Sequence, residues 1–308
     1  MRTGLYSTTF LAASLAALSP VRSEALSASY LYQLSTTTGP LTASAATLSY
    51  DAFHQELYAI TAGIVHVFNP SGMEVYTWPE DPALGSVWGV APLENGDVLV
   101  LRYQGLRPGL LRCDYRGTPV EEVTLPDLEA AFSSGFSPQL IAQGAGKIYL
   151  VATPTRRVFA LDLAAGTATP IDLDALLQID DRHKNDGIDG FAADGRGNLY
   201  VTVATLFKVF VISPGGQVHA FGTGGSAPGK FGIVKGVAAD GHGHIYVSDR
   251  LKSVVMVFDQ DGHFQGEFGG RANRPGGIYA PYDVVTAEGK LYVSQQARRG
   301  VSVFSITH

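Results

Sequence analysis

Six times along this chain a run of the form Gly-x-(Ile/Leu)-Tyr-Val returns with variations, its anchor falling at Tyr58, Leu99, Tyr149, Tyr200, Tyr246 and Tyr292. The anchors stand 41 to 51 residues apart. Each is followed by a second apolar run: Ile64 to Phe68, Gly109 to Cys113, Val158 to Leu161, Lys208 to Ile212, Val254 to Phe258 and Val301 to Ile306. A period of that length marks a repeat architecture in which no single copy can bury its apolar face. The clearest copy, Gly229 to Gly270, holds four short runs rich in β-branched and aromatic residues, separated by Asp-Gly or Gly pairs. Such runs read as consecutive antiparallel strands joined by tight hairpins.

Six units of four strands imply an all-β fold, a six-bladed β-propeller of four-stranded antiparallel blades. A β-sandwich gives no reason for sixfold repetition. The sixth copy stops at His308, just after its third strand, while the apolar segment Tyr30 to Leu34 precedes the first copy. This N-terminal strand is expected to complete the last blade and close the ring, which removes an exposed edge.

Residues 1–25 read as a secretory signal peptide. Arg2 gives a thin positive start, Phe10 to Leu18 a short apolar core, and Ser23-Glu24-Ala25 a small-x-small cleavage site. The expectation is one propeller domain over residues 26–308, exported to the periplasm or the extracellular space after cleavage near Ala25. The single cysteine, Cys113, leaves no internal disulfide and no haem-attachment motif. No later stretch reaches the roughly 18 apolar residues that a membrane helix needs. A formal charge of -6 argues against a general affinity for nucleic acid. A monomer is expected.

Gly229-x-Phe231, Gly236, Asp240, Gly243, Tyr246-Val247, Asp249 and Val257-Phe258 resemble the NHL repeat of six-bladed propellers. The sixth copy keeps Pro281, Tyr292-Val293 and Val303-Phe304, and the fourth keeps Gly190, Asp194, Gly197, Tyr200-Val201 and Phe210. The resemblance covers about residues 186–306 and is faint before them. It departs before the third strand, where the usual Asn and Arg are Lys252 and Val254 in copy five and Arg298 and Gly300 in copy six. The motif implies the fold and says little about function, because propellers host many unrelated activities.

In a propeller the innermost strand of each blade starts at one mouth of the central channel. Alignment of the copies puts Ala46, Trp88, Gln139, Asp189, Lys235 and Tyr282 at those starts. Aromatic rings beside an acid, an amide and a base suit a polar small molecule. The competing reading is that Asp189 and Lys235 simply pair. Ile188-Asp189-Gly190 also resembles the Pro-Asp-Gly segment of gluconolactonase-type propellers, and that resemblance implies a divalent cation on Asp189. Those enzymes add a Glu and an Asn, where this chain offers Ala46 and Gln139. One carboxylate is too few for such a cation, so no cofactor is expected. The peptide-amidating lyases hold zinc with histidines, and no histidine here falls at an inner-strand start. His242 and His244 share a hairpin turn on the opposite face, too few for a zinc site.

The mouth face also collects the loops between second and third strands. These carry Arg102, Arg107, Arg156, Arg157, Lys208, Arg250, Lys252, Arg298 and Arg299, with Asp249 as the acid among them. Two insertions, Pro126 to Ser137 and Asp172 to Gly187, are expected on the same face with short helical turns. Such a basic face can steer an anionic partner despite a negative total charge. The expected function is therefore a binding or scaffold propeller that takes a protein, a glycan or an anionic small molecule. A metal-dependent lactonase-like hydrolase or lyase is the alternative.

Overall fold

A computed structural model describes residues 27–307. The expected signal peptide and its cleavage site lie outside the described residues, as does His308.

Hairpin turns decide where the strands fall. In the first hairpin of blade 4, Asp194 accepts the backbone N–H groups of Arg196 and Asn198, the Asn198 amide, and the Tyr200 hydroxyl at 2.8 Å. Gly197 takes φ +86°, a conformation that side chains avoid. Asp240, Gly243 and Tyr246 repeat the arrangement in blade 5, with the tyrosine hydroxyl 2.9 Å from the carboxylate. The Asp-x-x-Gly-x-x-Tyr spacing is thus a turn whose acid also satisfies the hydroxyl of a buried anchor.

The turns connect six four-stranded antiparallel sheets. Blade 1 comprises Thr47–Asp51, Glu56–Thr61, Ile64–Phe68 and Glu74–Thr77. Blade 2 comprises Ser86–Pro92, Val98–Gln104, Arg107–Cys113 and Pro119–Val123. Blade 3 runs through Leu140–Gly144, Lys147–Ala152, Arg157–Asp162 and Thr167–Asp172. Blade 4 follows with Gly190–Ala193, Leu199–Val203, Lys208–Ile212 and Val218–Phe221. Blade 5 is Val234–Ala239, His244–Asp249, Val254–Asp259 and Phe264–Gly269. Blade 6 takes Pro281–Ala287, Lys290–Gln295 and Val301–Thr307 from the end of the chain and Ser27–Gln33 from its start.

Ser27 pairs with Thr307 and Tyr30 with Phe304, so the closure expected from the sequence is present. Each inner strand contacts the inner strands on both sides, including blade 6 against blade 1. The fold is a six-bladed β-propeller. Its core is divided accordingly: six apolar clusters among the described residues each draw on two neighbouring blades. Tyr58, Leu99 and Tyr246 at the anchor position and Phe258 of the following run are among the largest buried side chains, so two repeat positions carry this packing directly. No helix among the described residues is long and apolar enough to cross a membrane.

Both insertions form helices on the mouth face. Helix α1 spans Pro126–Ser133 and seals Leu128 and Ala131 against blades 2 and 3. Helix α2 spans Leu173–Leu177 and is capped by Asp172, whose carboxylate accepts the Ala175 N–H.

Candidate functional site

Three inner strands carry one extra residue near their start. The register slips between Val87 and Gly89, between Val234 and Val237, and between Pro281 and Val284. A bulge of this kind re-aims the side chain it carries. Here it accounts for Trp88, Lys235 and Tyr282 at the channel mouth. In blade 5 the Ser248 hydroxyl accepts the Gly236 N–H at 2.8 Å, satisfying a group that the bulge releases from the ladder. Glycine after the mouth residue has a second use. A Cβ on Gly190 would lie 2.3 Å from the Lys235 carbonyl oxygen, and one on Gly236 would lie 2.9 Å from the Asp283 Cα. The small residue lets neighbouring inner strands close up.

The channel is a cavity of about 570 Å³, and Trp88, Gln139, Asp189, Lys235 and Tyr282 all line it. Ala46 does not. It is 1% exposed and packs into the core between blades 1 and 6. Blade 1 instead offers Thr47 to the cavity. The mouth is therefore lopsided, with the aromatic residues of blades 2 and 6 on either side of a small blade 1 residue.

Each mouth residue is held separately. Trp88 is 43% exposed, its ring centroid 5.2 Å from that of Tyr103. Tyr103 is in turn fixed by its hydroxyl, which donates to the Pro138 carbonyl at 2.8 Å. Gln139 is committed to the loops of its own blade. Its Oε1 accepts the Thr153 N–H at 2.9 Å, and its Nε2 donates to the Ser137 carbonyl at 2.6 Å. Asp189 accepts the Ala204 N–H on Oδ2 at 2.7 Å, which leaves Oδ1 toward the Lys235 ammonium at 4.0 Å. That distance is an ion pair without a hydrogen bond. The ammonium also sits 5.4 Å from the Tyr282 ring centroid. It makes no hydrogen bond among the described residues. Burial and the Asp283 charge raise the Tyr282 pKa, with Arg250 opposing them.

Asp283 is a channel group that sequence reasoning missed. It stands where blades 4 and 5 have Gly190 and Gly236. Its Oδ2 accepts the Leu48 N–H of blade 1 at 2.9 Å, and its Oδ1 accepts the Val284 N–H at 2.9 Å. The side chain opens on the channel but is ringed by protein. Burial raises its pKa to about 6, while the two amides and Lys235 pull the other way. An acid at a position otherwise held by glycine was the available signal.

These donors do not fit a divalent cation at Asp189. One carboxylate oxygen is taken by a backbone amide, the other faces an ammonium, and the Gln139 oxygen already accepts from Thr153. A cation of this class wants several free oxygens. Asp259, Asp261 and His263 gather on the opposite face, where Asp259 already accepts the Asp261 and His263 N–H groups as a turn acid. His242 is exposed there, and the Nδ1 of His244 lies 3.1 Å from an Asp240 oxygen.

The basic residues of the mouth face have diverse fates. Arg156 is 6% exposed and ties down the second insertion, bonding Asp174 at 2.6 Å, the Lys184 carbonyl at 2.6 Å and the Asp186 carbonyl. Arg102 is buried on the Ala83 carbonyl and Glu122. Lys252 bonds the Ala227 and Lys230 carbonyls and Glu267, and Arg299 bonds Asn273 and the Ala272 carbonyl. Arg107 pairs with Glu129, and Arg157 lies over the Phe136 ring. Arg250 and Arg298 stay exposed, while Lys208 is partly buried. The sequence map of this face counted the bases in the loops but not Glu129 and Asp174 of the connections, whose carboxylates partner Arg107 and Arg156.

Neither a family model nor a curated protein sequence matches this chain. Solved structures do match it. A gluconolactonase from Xanthomonas campestris aligns with a TM-score of 0.60 at 15% identity, over 87% of this chain and 88% of that one. Virginiamycin B lyase from Staphylococcus aureus gives a TM-score of 0.54 at 14% identity, over 85% and 79% of the two chains. A chain of a nidogen/laminin complex gives 0.54 at 16% identity, over 77% and 84%. At such identities the shared property is the six-bladed propeller, which fixes no chemistry.

Proposed function

We infer that this propeller is a binding protein whose channel mouth receives a small carboxylate-bearing organic molecule. One observation carries the reading: the Lys235 ammonium is turned into the channel without a hydrogen bond among the described residues, beside the Tyr282 ring of blade 6 and in a cavity that Trp88 of blade 2 also lines. A partly buried ammonium gains most from an oxygen anion that can reach it. The cavity is within the range of small-molecule sites. The basic face supports partner capture less well, because Arg102, Arg156, Lys252 and Arg299 are used inside the fold. The gluconolactonase and the lyase keep a catalytic reading in view, but a metal-dependent lactonase would need oxygens that Asp189 and Gln139 do not leave free. Export follows from the character of residues 1–25, and the mass of the protein in cell fractions tests it.

The probe for the channel is 3-phenylpropionate, a ring with a single carboxylate. Trp88 reports it: the other tryptophan, Trp78, is 4% exposed and can be replaced by Phe to leave one emitter. Saturable quenching is expected, at least tenfold weaker in Lys235→Met. Equal quenching in both proteins would remove Lys235 as the anchor. Bound metal in protein prepared without chelator, together with lactone turnover, would replace the binding reading by the enzymatic one.

A further inference from the structure

Asp189 and Lys235 are opposite charges on neighbouring blades, held 4.0 Å apart, and neither owes its position to the other. Asp189 is fixed by the Ala204 N–H on one oxygen, and its second oxygen accepts no hydrogen bond among the described residues. Lys235 is placed by its bulge and by the Tyr282 ring. A pair meant only to neutralise itself would be expected to close to hydrogen-bond distance, as Arg156 and Asp174 do at 2.6 Å. This pair stays open toward the cavity.

The surrounding charges restrict what can enter. Asp283 and Asp194 line the same channel, and Arg250, outside that lining, is close enough to act on Tyr282. The lining thus sets three acids, Asp189, Asp194 and Asp283, against one base, Lys235, so the mouth is not a trap for simple anions. A carboxylate docking on Lys235 meets Asp189 beside it and is held less tightly, unless the ligand also brings a hydrogen-bearing cation to that oxygen. Standard bond lengths put the ammonium nitrogen and the nearer carboxylate oxygen of an α-amino acid about 3 Å apart. The two site charges have a similar spacing, so one such molecule can face both at once.

Resting on the binding reading above, we propose that the channel mouth is a site for a free α-amino acid with an apolar or aromatic side chain, its carboxylate on Lys235 and its ammonium on Asp189. The side chain has apolar company. In a sixfold ring blade 2 stands opposite blade 5, so Trp88 faces Lys235 across the opening, and Ile141 and Val285 line the cavity further along. Rings and aliphatic walls reward such a side chain, whereas a sugar would leave them poorly used.

The test compares four probes by Trp88 emission: L-phenylalanine, 3-phenylpropionate, phenethylamine and L-phenylalaninamide. Phenylalanine should bind at least tenfold tighter than each of the other three, which carry one charge of the pair. Asp189→Asn keeps an oxygen for the Ala204 N–H. It should weaken phenylalanine at least tenfold and tighten 3-phenylpropionate, which no longer meets the Asp189 charge. Lys235→Met should weaken both. If 3-phenylpropionate matches or exceeds phenylalanine in the wild type, the zwitterion proposal is overturned while the carboxylate reading stands. If neither binds, both fall. The wild-type series decides the matter even if a variant fails to fold.

Discussion

Asp283 takes the place of a glycine, and its carboxylate joins the last inner strand to the first by accepting the Leu48 N–H. In the folded ring burial raises its pKa to about 6, against about 3.9 for an unfolded aspartate. Between those values the folded chain binds more protons than the unfolded one. The group therefore adds stability in acid, and that contribution is lost as pH rises through the folded value. Asp283→Asn removes the dependence. The stability of wild type minus variant should fall by of the order of 2 kcal/mol between pH 4 and pH 7, read from urea melts at several pH values. A difference that does not change with pH counts against this assignment. At this scale the sequence was only half readable. Alignment of the copies found Lys235 and Tyr282, because each stands at a strand start that repeats. It also put Ala46 on the channel, where the side chain in fact turns into the core. It passed over Asp283 because that acid stands one residue past the repeating strand start, where blades 4 and 5 have glycine.

Elements are where charge and packing meet. Between Ile179 and Ile188, which pack into the apolar cluster of blades 3 and 4, the connection adds no residue to that cluster and is held by Arg156, which bonds Asp174, Lys184 and Asp186 at once. Arg156→Met should cost about 3 kcal/mol, because it leaves several polar groups unpaired. Hydrogen exchange should rise across residues 180–187 before it rises in the blades. Uniform exchange across the chain would mean that the arginine does not secure this segment. From the sequence Arg156 was one base among several, since its partners lie some 18 to 30 residues further on. Glycine at the inner strands makes a sharper prediction. Gly190→Ala drives a Cβ to 2.3 Å from the Lys235 carbonyl, so blades 4 and 5 must part, whereas Gly241 has nothing within 4 Å of that position. The first change should cost about 3 kcal/mol or more and the second less than about 0.5 kcal/mol. Similar melting temperatures for the two variants would refute the close-packing account.

Over the whole molecule, the sixfold period, the four strands per copy and the closing strand could all be read from the sequence, because turn acids, glycines and anchors recur at fixed offsets. The mouth's lopsided shape could not, since it depends on how six imperfect copies meet. Closure can be tested directly. A chain starting at Leu34 lacks the strand that covers Val301–Thr307. It should melt roughly 10 °C lower or more and self-associate through that open edge, as light scattering would reveal. A monomer with unchanged melting would show that the ring does not need its clasp. The same strand pairing also has a consequence in time. Ser27–Gln33 leaves the ribosome about 270 residues before its partner. At about 5–20 residues per second that gap lasts between about 15 and 55 s. Through that interval no intramolecular partner exists for the strand, and a neighbouring nascent chain that has reached blade 6 offers it one. Closure waits on Val301–Thr307: any product cut short before Val301 keeps an open ring, so ring formation itself separates molecules that carry this strand from those that lack it.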